Sequence, residues 1–452
     1  MYPDVELNEI QNLLSQGKQD EVKGRLQELQ PADIAEIIID IEDEYKAIIF
    51  SLLDGETAAE VLINLDSDIM VLLLEKLGAE RIRHIFDEMS SDDAADLIAE
   101  IPVPLKDKLL TSMEIEDAND VKELLAYKED TAGGIMTTEY VAILKSLTAA
   151  RAIEVLREIA PDAETVYYVY VVNEKNHLVG VLSLRELIVA DPSTRVEDIM
   201  KENVISVHVG MDQEEVANVV SKYDFLAVPV VDDNNCLLGI ITVDDIIDVI
   251  HEEATEDFYL LGGTSSELIE DEGLFNRIIS SLRSRLPWLF ITLLGGLLAG
   301  QVIKGLEEEL STVVALAFFI PLLTGMGGNV GTQSSTLTVR GLATGQIDVK
   351  EILLVVGRET LTGVLIGLIC GIIVAIVAYL WQQNIMLGVV VGLALLGNMT
   401  TAATMGTLVP LIFKKVGIDP AVASAPFIST SIDITGLLIY STVASLLMSY
   451  LM

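Results

Sequence analysis

The sequence predicts a multidomain membrane protein. A soluble α-helical solenoid comes first, then a tandem α/β unit, an amphipathic connecting helix and a five-helix transmembrane domain. Three observations predict it. The chain of 452 residues carries a net charge of −41, yet 51% of its residues are hydrophobic. These extremes separate along the chain: residues 286–452 hold six Lys/Arg and eight Asp/Glu, so a charge of −39 lies in residues 1–285. The C-terminal part contains five apolar stretches, each long enough to span a bilayer, which takes about 20 residues in a helix. We place the boundaries at 1–129, 130–256, 257–285 and 286–452.

Residues 1–129 read as short amphipathic helices. A similar unit recurs as LQPADIAEIIIDI, LDGETAAEVLINL and MSSDDAADLIAEIP. Each has capping-type residues followed by apolar positions at helical spacing. Units that cannot bury an apolar face alone stack into a solenoid. Asp92 and Asp96 stand four apart and share a helix face. Alone, that pair reads equally as helix-dipole and solvated-face chemistry. The N-terminus has no basic n-region and no apolar h-region, so no signal peptide is expected and the soluble part should stay in the cytosol. Only Cys236 and Cys370 are present, without a CxxC or Cys/His cluster, which argues against a disulfide framework and a structural zinc site.

Residues 130–256 become β-rich and repeat. VYVVNEKNHLVGVLSLREL (169–187) and AVPVVDDNNCLLGIITVDDI (227–246) each read strand, polar turn, strand, helix start. An Ile-Met pair precedes each copy, at Ile135-Met136 and Ile199-Met200. The repeat resembles a tandem CBS pair. That resemblance implies a ribose-binding role for Thr242 and Asp245 and a possible ATP or other adenine nucleotide there. The first copy departs from the pattern with Ser183 and Glu186.

Acid is densest after the second copy. Asp245, Asp248 and Glu252 share one helix face, and Glu253, Glu256 and Asp257 another. Oxygen ligands without His or Cys suit a hard cation such as Mg²⁺ or Ca²⁺; the alternative is an exposed acidic face. Such a surface repels nucleic acid and attracts cations. Gly262-Gly263 ends this helix, and Ser265 or Ser266 is placed to cap the next. Phe275, Ile278, Ile279, Leu282 and Leu286 then form an apolar stripe leading into the membrane.

From Pro287 we read spans at about 287–304, 311–338, 352–380, 386–412 and 422–450. With the N-terminus inside, the inner loops carry Arg340, Lys350, Lys414 and Lys415, and the outer loops only Lys304, as the positive-inside rule asks. An odd count puts the C-terminus outside. Gly363, Gly367 and Gly371 form a GxxxGxxxG packing face, and Gly296/Gly300 repeat its spacing. The second span is expected to break at Pro321 and at Gly325–Gly328. Its polar residues Asn329, Thr332, Gln333 and Thr336 then line a wet path or bind neighbouring helices. Asn398, Thr400 and Thr401 on the fourth span admit the same two readings.

Asp433 is the only charged residue in the last 27. A carboxylate at membrane depth costs roughly 2.5–3.5 kcal/mol on insertion scales and marks an ion path or a structural partner. A symmetric dimer brings two such groups across its axis and balances one divalent ion. Mg²⁺ keeps several waters and binds through one or two carboxylates.

Four stretches, SSDDAADLIAEIP (90–102), TVDDIIDVIHEEATED (242–257), GGNVGTQSSTLTVR (327–340) and STSIDITGLLIY (429–440), resemble the MgtE family of Mg²⁺ channels, and the order of domains is similar over the whole chain. The resemblance implies a homodimer among membrane lipids with a pore on its axis. Asp433 would be the selectivity carboxylate, accompanied by Ala425 and Ser429 about two turns and one turn before it. It implies Mg²⁺ sensing by Asp92, Asp96, Asp212, Glu214, Asp224, Asp245, Asp248, Glu253, Glu256 and Asp257, with closure at high cytosolic Mg²⁺ and the connecting helix as a plug. A proton- or Na⁺-coupled carrier and a non-transporting CBS-based sensor are the alternatives. An enzyme is not expected, since the chain shows no nucleophile–base pair, P-loop or metal-activated water site.

Overall fold

The structure is a computed structural model that describes residues 3–113, 115–159, 163–264, 274–422 and 425–451. The proposed cap at Ser265 or Ser266 lies outside the described residues. Two compact units are present, Met1–Ile250 and His251–Met452.

In the first unit, short helices run from Pro3–Ser15 to Ile115–Leu124. Helix Pro31–Asp40 packs on Pro3–Ser15, Gly55–Ile63 on Pro31–Asp40, and Ala79–Phe86 on Gly55–Ile63. This every-other-helix stacking is the solenoid. Each helix buries one apolar stripe: Ile34, Ile37 and Ile38 in one, Ala58, Val61 and Leu62 in the next. Aligned stripes make one continuous core.

Two three-stranded sheets follow. In the first, β1 (Ala142–Leu144) runs parallel to β2 (Tyr168–Val172), which pairs antiparallel with β3 (Leu178–Ser183). In the second, β4 (Val207–His208), β5 (Ala227–Val231) and β6 (Leu237–Thr242) repeat that order. A register irregularity recurs at the same place, Val171/Val172 and Val230/Val231. The two hairpin turns bind each other reciprocally. Leu178 N–H donates to the Asn235 carbonyl at 2.9 Å, and Leu237 N–H to that of Asn176 at 3.0 Å. Asn176 and Asn235 both adopt left-handed backbone, at φ 59° and 61°, a conformation asparagine tolerates better than most residues.

The Ile-Met pairs cross between copies. Met136, which precedes the first copy, packs on Gly239 of the second; Met200, which precedes the second, packs on Gly180 of the first. A β-carbon at Gly180 would meet the Met200 sulfur at 2.5 Å. Each glycine is therefore a seat for the other copy's leading segment.

Among the described residues of the second unit, five helices have the length and composition to cross a membrane: Ile278–Gly305, Val314–Ala343, Ile352–Gln382, Ile385–Val416 and Pro426–Leu446. The fourth is the most enclosed, with 56% of its apolar window buried, against 6% for the first. Gly363, Gly367 and Gly371 of the third span lie directly on the fourth: their β-carbons would come within 2.7–2.9 Å of Ala403, Leu396 and Gly392. Small residues let two backbones approach this closely.

Three expectations change. The amphipathic stripe is continuous with the first span, as one helix Leu274–Gly305 with Pro287 inside it. Gly296 and Gly300 meet nothing within 4 Å among the described residues; Gly295 is the contact position, pressed against Thr430. The second span does not break at Gly325–Gly328. A 3₁₀ turn, Val314–Phe319, leads into an uninterrupted helix Ile320–Ala343, with Pro321 in its first turn. Proline is tolerated there because that N–H has no helical partner. The glycines serve packing: Gly331 faces Ile428 and Ile432 of the fifth span, and Gly406 of the fourth approaches the Gly331 carbonyl.

Candidate ion path and acidic cluster

Asp433 sits in the middle of helix Ala425–Leu446 and is half-buried. Among the described residues, no hydrogen bond or ion pair reaches its carboxylate. The hydroxyls beside it are spent on their own helix: Ser431 donates to the Phe427 carbonyl at 2.9 Å and Thr435 to that of Ser431 at 3.0 Å. Ser429, one turn before Asp433, faces Gly328 of the second span: a β-carbon added there would lie 3.5 Å from the Ser429 Cβ. The side chain of Ala425 is outside those described.

The second span is polar on two faces with different fates. Ser334, Ser335 and Thr338 are buried against other helices, and Thr338 donates to the Ser334 carbonyl at 2.7 Å. Asn329, Gln333 and Thr336 fall at helical spacing on an exposed face, with Thr332 half-buried beside them. An exposed amide and hydroxyl stripe at membrane depth requires water or another protein surface. On the fourth span Asn398 is fully buried, while Thr400 and Thr404 are half-buried and donate to their own helix.

The first unit gathers carboxylates. Helix Ser91–Glu100 begins with Ser91, whose backbone N–H donates to Glu139 Oε1 at 2.9 Å. Ser91 Oγ lies 2.9 Å from Thr138 Oγ1. The carboxylate thus caps a helix that starts 48 residues earlier, supplying an anion where the helix dipole favours one. This seats Asp92 beside the segment that carries Glu139, only 7% exposed, and among the described residues its Oδ1 has no hydrogen-bond partner.

The consequences are electrostatic. Burial holds the Asp92 carboxyl well above the usual carboxylate range. Burial, followed by the Asp92 charge, pushes Asp93 up to about 6 and Glu139, Glu164 and Asp245 each to about 7. Asp96 also reaches about 7, through the protein around it and then Asp92 and Asp93, although its side chain opens to solvent. Six carboxyls crowded without a cation favour sharing protons over full charge.

Of the carboxylates implied as Mg²⁺ sensors, Asp92, Asp96 and Asp245 come together here. Asp93, Glu139, Glu164 and Asp244 join them unforeseen. Asp244 had a visible signal in the acid run; Glu139 and Glu164 had none. Asp212 is engaged otherwise, capping helix Gln213–Tyr223 by accepting from the Glu214 N–H at 3.0 Å. Asp224 ends that helix at φ 54°. Asp248 is exposed on helix Val243–Gly262, and Glu253, Glu256 and Asp257 lie further along it. Among the described residues, no three Asp, Glu, His or Cys side chains are close enough to hold a metal ion between them. The cluster is a crowd of charge whose orphaned Asp92 oxygen fits a hard cation or its water shell.

Thr242 is buried and donates to Asp245 Oδ2 at 2.7 Å. Thr242 and Asp245 thus present a hydroxyl and a carboxylate side by side at the start of helix Val243–Gly262. Tyr170 of the first copy is buried, and among the described residues its hydroxyl has no partner. In the first copy, Ser183 and Glu186 satisfy each other as a capping box, with Ser183 N–H to Glu186 Oε2 at 2.8 Å.

Five helices fit to cross a membrane, one of them carrying a carboxylate unpartnered among the described residues, and an acid-laden first unit suit a multi-pass membrane protein that handles cations. Comparisons with known proteins agree along the chain. Residues 320–443 match the family of divalent cation transporters, residues 29–130 an MgtE intracellular N domain, and residues 132–193 and 196–252 CBS domains. The Magnesium transporter MgtE of Bacillus subtilis is 39% identical, covering 96% of this chain and 95% of that one. That of Thermus thermophilus is 40% identical, covering 97% and 98%. A crystal structure of the cytosolic domain of the Mg²⁺ channel MgtE in complex with ATP has a TM-score of 0.52 and 41% identity, covering 54% of this chain and 99% of that one. The chain belongs to the MgtE family of magnesium transporters, and magnesium transport is the activity this membership carries.

Proposed function

We propose that this protein is a Mg²⁺-selective channel that closes when intracellular Mg²⁺ occupies its acidic soluble part. Asp433 of each chain in a homodimer meets its symmetry mate and holds a hydrated Mg²⁺. The exposed stripe of Asn329, Gln333 and Thr336, with half-buried Thr332 and Ser429 beside it, then faces the ion's path, and Ala425 marks one end. The N-terminus lies in the cytosol and the C-terminus outside, with the Lys/Arg-rich loops inward and the apolar faces against lipid. The observation that carries this reading is Asp433 itself, a carboxylate inside a membrane helix with no partner in its own chain among the described residues. Charge balance supports two such groups for one divalent ion.

Closure follows from linkage. Carboxylates crowded around Asp92 repel one another, and a divalent cation among them favours the compact arrangement by its differential affinity for it. Asp212, Glu214, Asp224, Asp248, Glu253, Glu256 and Asp257 supply further weak sites, and residues 257–285 transmit closure to the path. An adenine nucleotide binds at Thr242 and Asp245, a reading supported by the ATP complex of the homologous cytosolic domain.

The test is Mg²⁺ uptake into sealed vesicles holding the purified full chain. Asp433→Ala is expected to abolish it; normal uptake there would refute the channel reading. Uptake that stops when the proton or Na⁺ gradient is collapsed at fixed voltage would instead identify a coupled carrier, and absence of uptake by the wild type a sensor. Neutralising Asp245, Asp248, Glu253 and Asp257 together is expected to leave uptake running at internal Mg²⁺ concentrations that close the wild type.

A further inference from the structure

Asn398 is the most deeply buried carboxamide in the membrane unit. It is 0% exposed, on the fourth span, between the second and fifth. Its Nδ2 donates to the Leu323 carbonyl at 2.7 Å, one turn before Gly327 on the second span. Among the described residues its Oδ1 has no hydrogen-bond partner. Two glycines press on the amide. A β-carbon at Gly327 would lie 2.5 Å from Nδ2, and one at Gly436 would overlap Oδ1. The Gly436 Cα–H that takes the place of a side chain therefore points at this oxygen, the arrangement of a weak C–H···O contact between helices.

An apolar residue of similar volume would fill this space without leaving an amide oxygen unpaired in a protein interior. What the amide adds is direction. It ties one carbonyl of the second span to one glycine of the fifth. Gly327 stands two residues before Asn329, and Gly436 three residues after Asp433. A shift of either helix along its axis would break the grip.

We propose that Asn398 is a positioning residue for ion passage: gripping the Leu323 carbonyl and seated against Gly327 and Gly436, it sets the axial offset between Asn329 and Asp433, and with it the discrimination among divalent cations. This rests on the reading of Asp433 as the ion site. Divalent ions of similar charge differ in how readily they shed water and in the geometry they accept, so the offset acts on selectivity more than on whether ions pass.

The experiment pairs a size clash with its relief in the full chain in vesicles. Gly436→Ala is expected to lower Mg²⁺ uptake by about tenfold or more, as misplacement near a working group does. Asn398→Ala is expected to retain uptake within severalfold but narrow the ratio of Mg²⁺ to Co²⁺ uptake. In the double variant Asn398→Ala/Gly436→Ala the clash is gone, so uptake should exceed that of Gly436→Ala alone, a coupling that independent sites would not show. A double variant no better than Gly436→Ala overturns the proposal. So does a Mg²⁺ to Co²⁺ ratio unchanged in Asn398→Ala, whatever its thermal stability. If Asn398→Ala does not fold, Asn398→Ser takes its place in both comparisons. Asp433→Ala measured alongside keeps the two claims apart: uptake retained there sinks the ion-path reading, while the clash and its relief, followed also by thermal unfolding, report on the amide alone.

Discussion

Gly263 lies against Pro426 so closely that a β-carbon on it would come within 2.7 Å of the proline Cγ. The glycine adopts φ +72°, ending helix Val243–Gly262 with its N–H on the Leu260 carbonyl. Pro426 stands in the first turn of the helix that carries Asp433. The end of the acid-rich helix is thus seated on the start of the helix that carries Asp433. Gly263→Ala strains both the left-handed backbone and this contact, at a cost of about 1–3 kcal/mol. The expected outcome is uptake that persists while the internal Mg²⁺ needed for half-closure rises severalfold, read from inhibition curves in vesicles. An unchanged curve from a folded variant would count against the contact as a coupling joint.

The acidic cluster makes a pH prediction. Asp93, Asp96, Glu139, Glu164 and Asp245 hold their protons up to about 6–7 in the fold, against about 4 in an unfolded chain. The metal-free fold therefore binds more protons than the unfolded chain across that window. Its stability is full below about pH 4 with respect to these groups and falls as pH rises through 7. Mg²⁺ competes with those protons, so its affinity should climb from pH 5.5 to 7.5 and level off above about 8. Calorimetric Mg²⁺ titrations of the full chain at several pH values check this, and a flat profile would contradict it.

Asp92→Asn separates stability from sensing. The wild-type carboxyl is buried with one oxygen unpaired, so removing its charge should stabilise the metal-free protein by about 1 kcal/mol, a gain of a few degrees in midpoint. The same change should weaken stabilisation by added Mg²⁺. Thermal unfolding with and without Mg²⁺ gives both numbers; a variant less stable without metal and equally responsive to it would overturn the assignment.

Tyr440 reports on the membrane unit alone. Its buried hydroxyl donates to the Leu316 carbonyl at 2.8 Å, joining the fifth span to the 3₁₀ turn before the second. Tyr440→Phe leaves that carbonyl short of a donor and should cost about 1 kcal/mol. A midpoint in detergent lowered by a few degrees, with the Mg²⁺ response of the soluble unit intact, is the expected result.

Several features were legible before any coordinates. The acid-loaded first part, the paired α/β repeat and the five apolar stretches all rest on local composition and period. The Gly363/Gly367/Gly371 face was legible for the same reason, and it packs as its spacing suggests. Gly296/Gly300 has that spacing too and meets nothing among the described residues, because spacing says that a backbone can be approached and not that a helix is there. Asp433 stood out since a charge within an apolar run is visible residue by residue. Glu139 did not: it is one acid among 69 Asp/Glu, and only the fold places it on the amide of Ser91.

What the sequence by itself determined was membership and medium: which segments enter lipid, which stay in water, and where a lone carboxylate is carried into the bilayer. These follow from the transfer free energy of each residue, which depends little on distant neighbours. What only the tertiary structure decided was who touches whom: the crossed seating of Met136 and Met200, Glu139 capping the helix of Asp92, and Asn398 wedged between Gly327 and Gly436. Such contacts join residues tens of positions apart, and their energies appear only once a particular packing of helices and sheets has brought the atoms within hydrogen-bond or van der Waals reach.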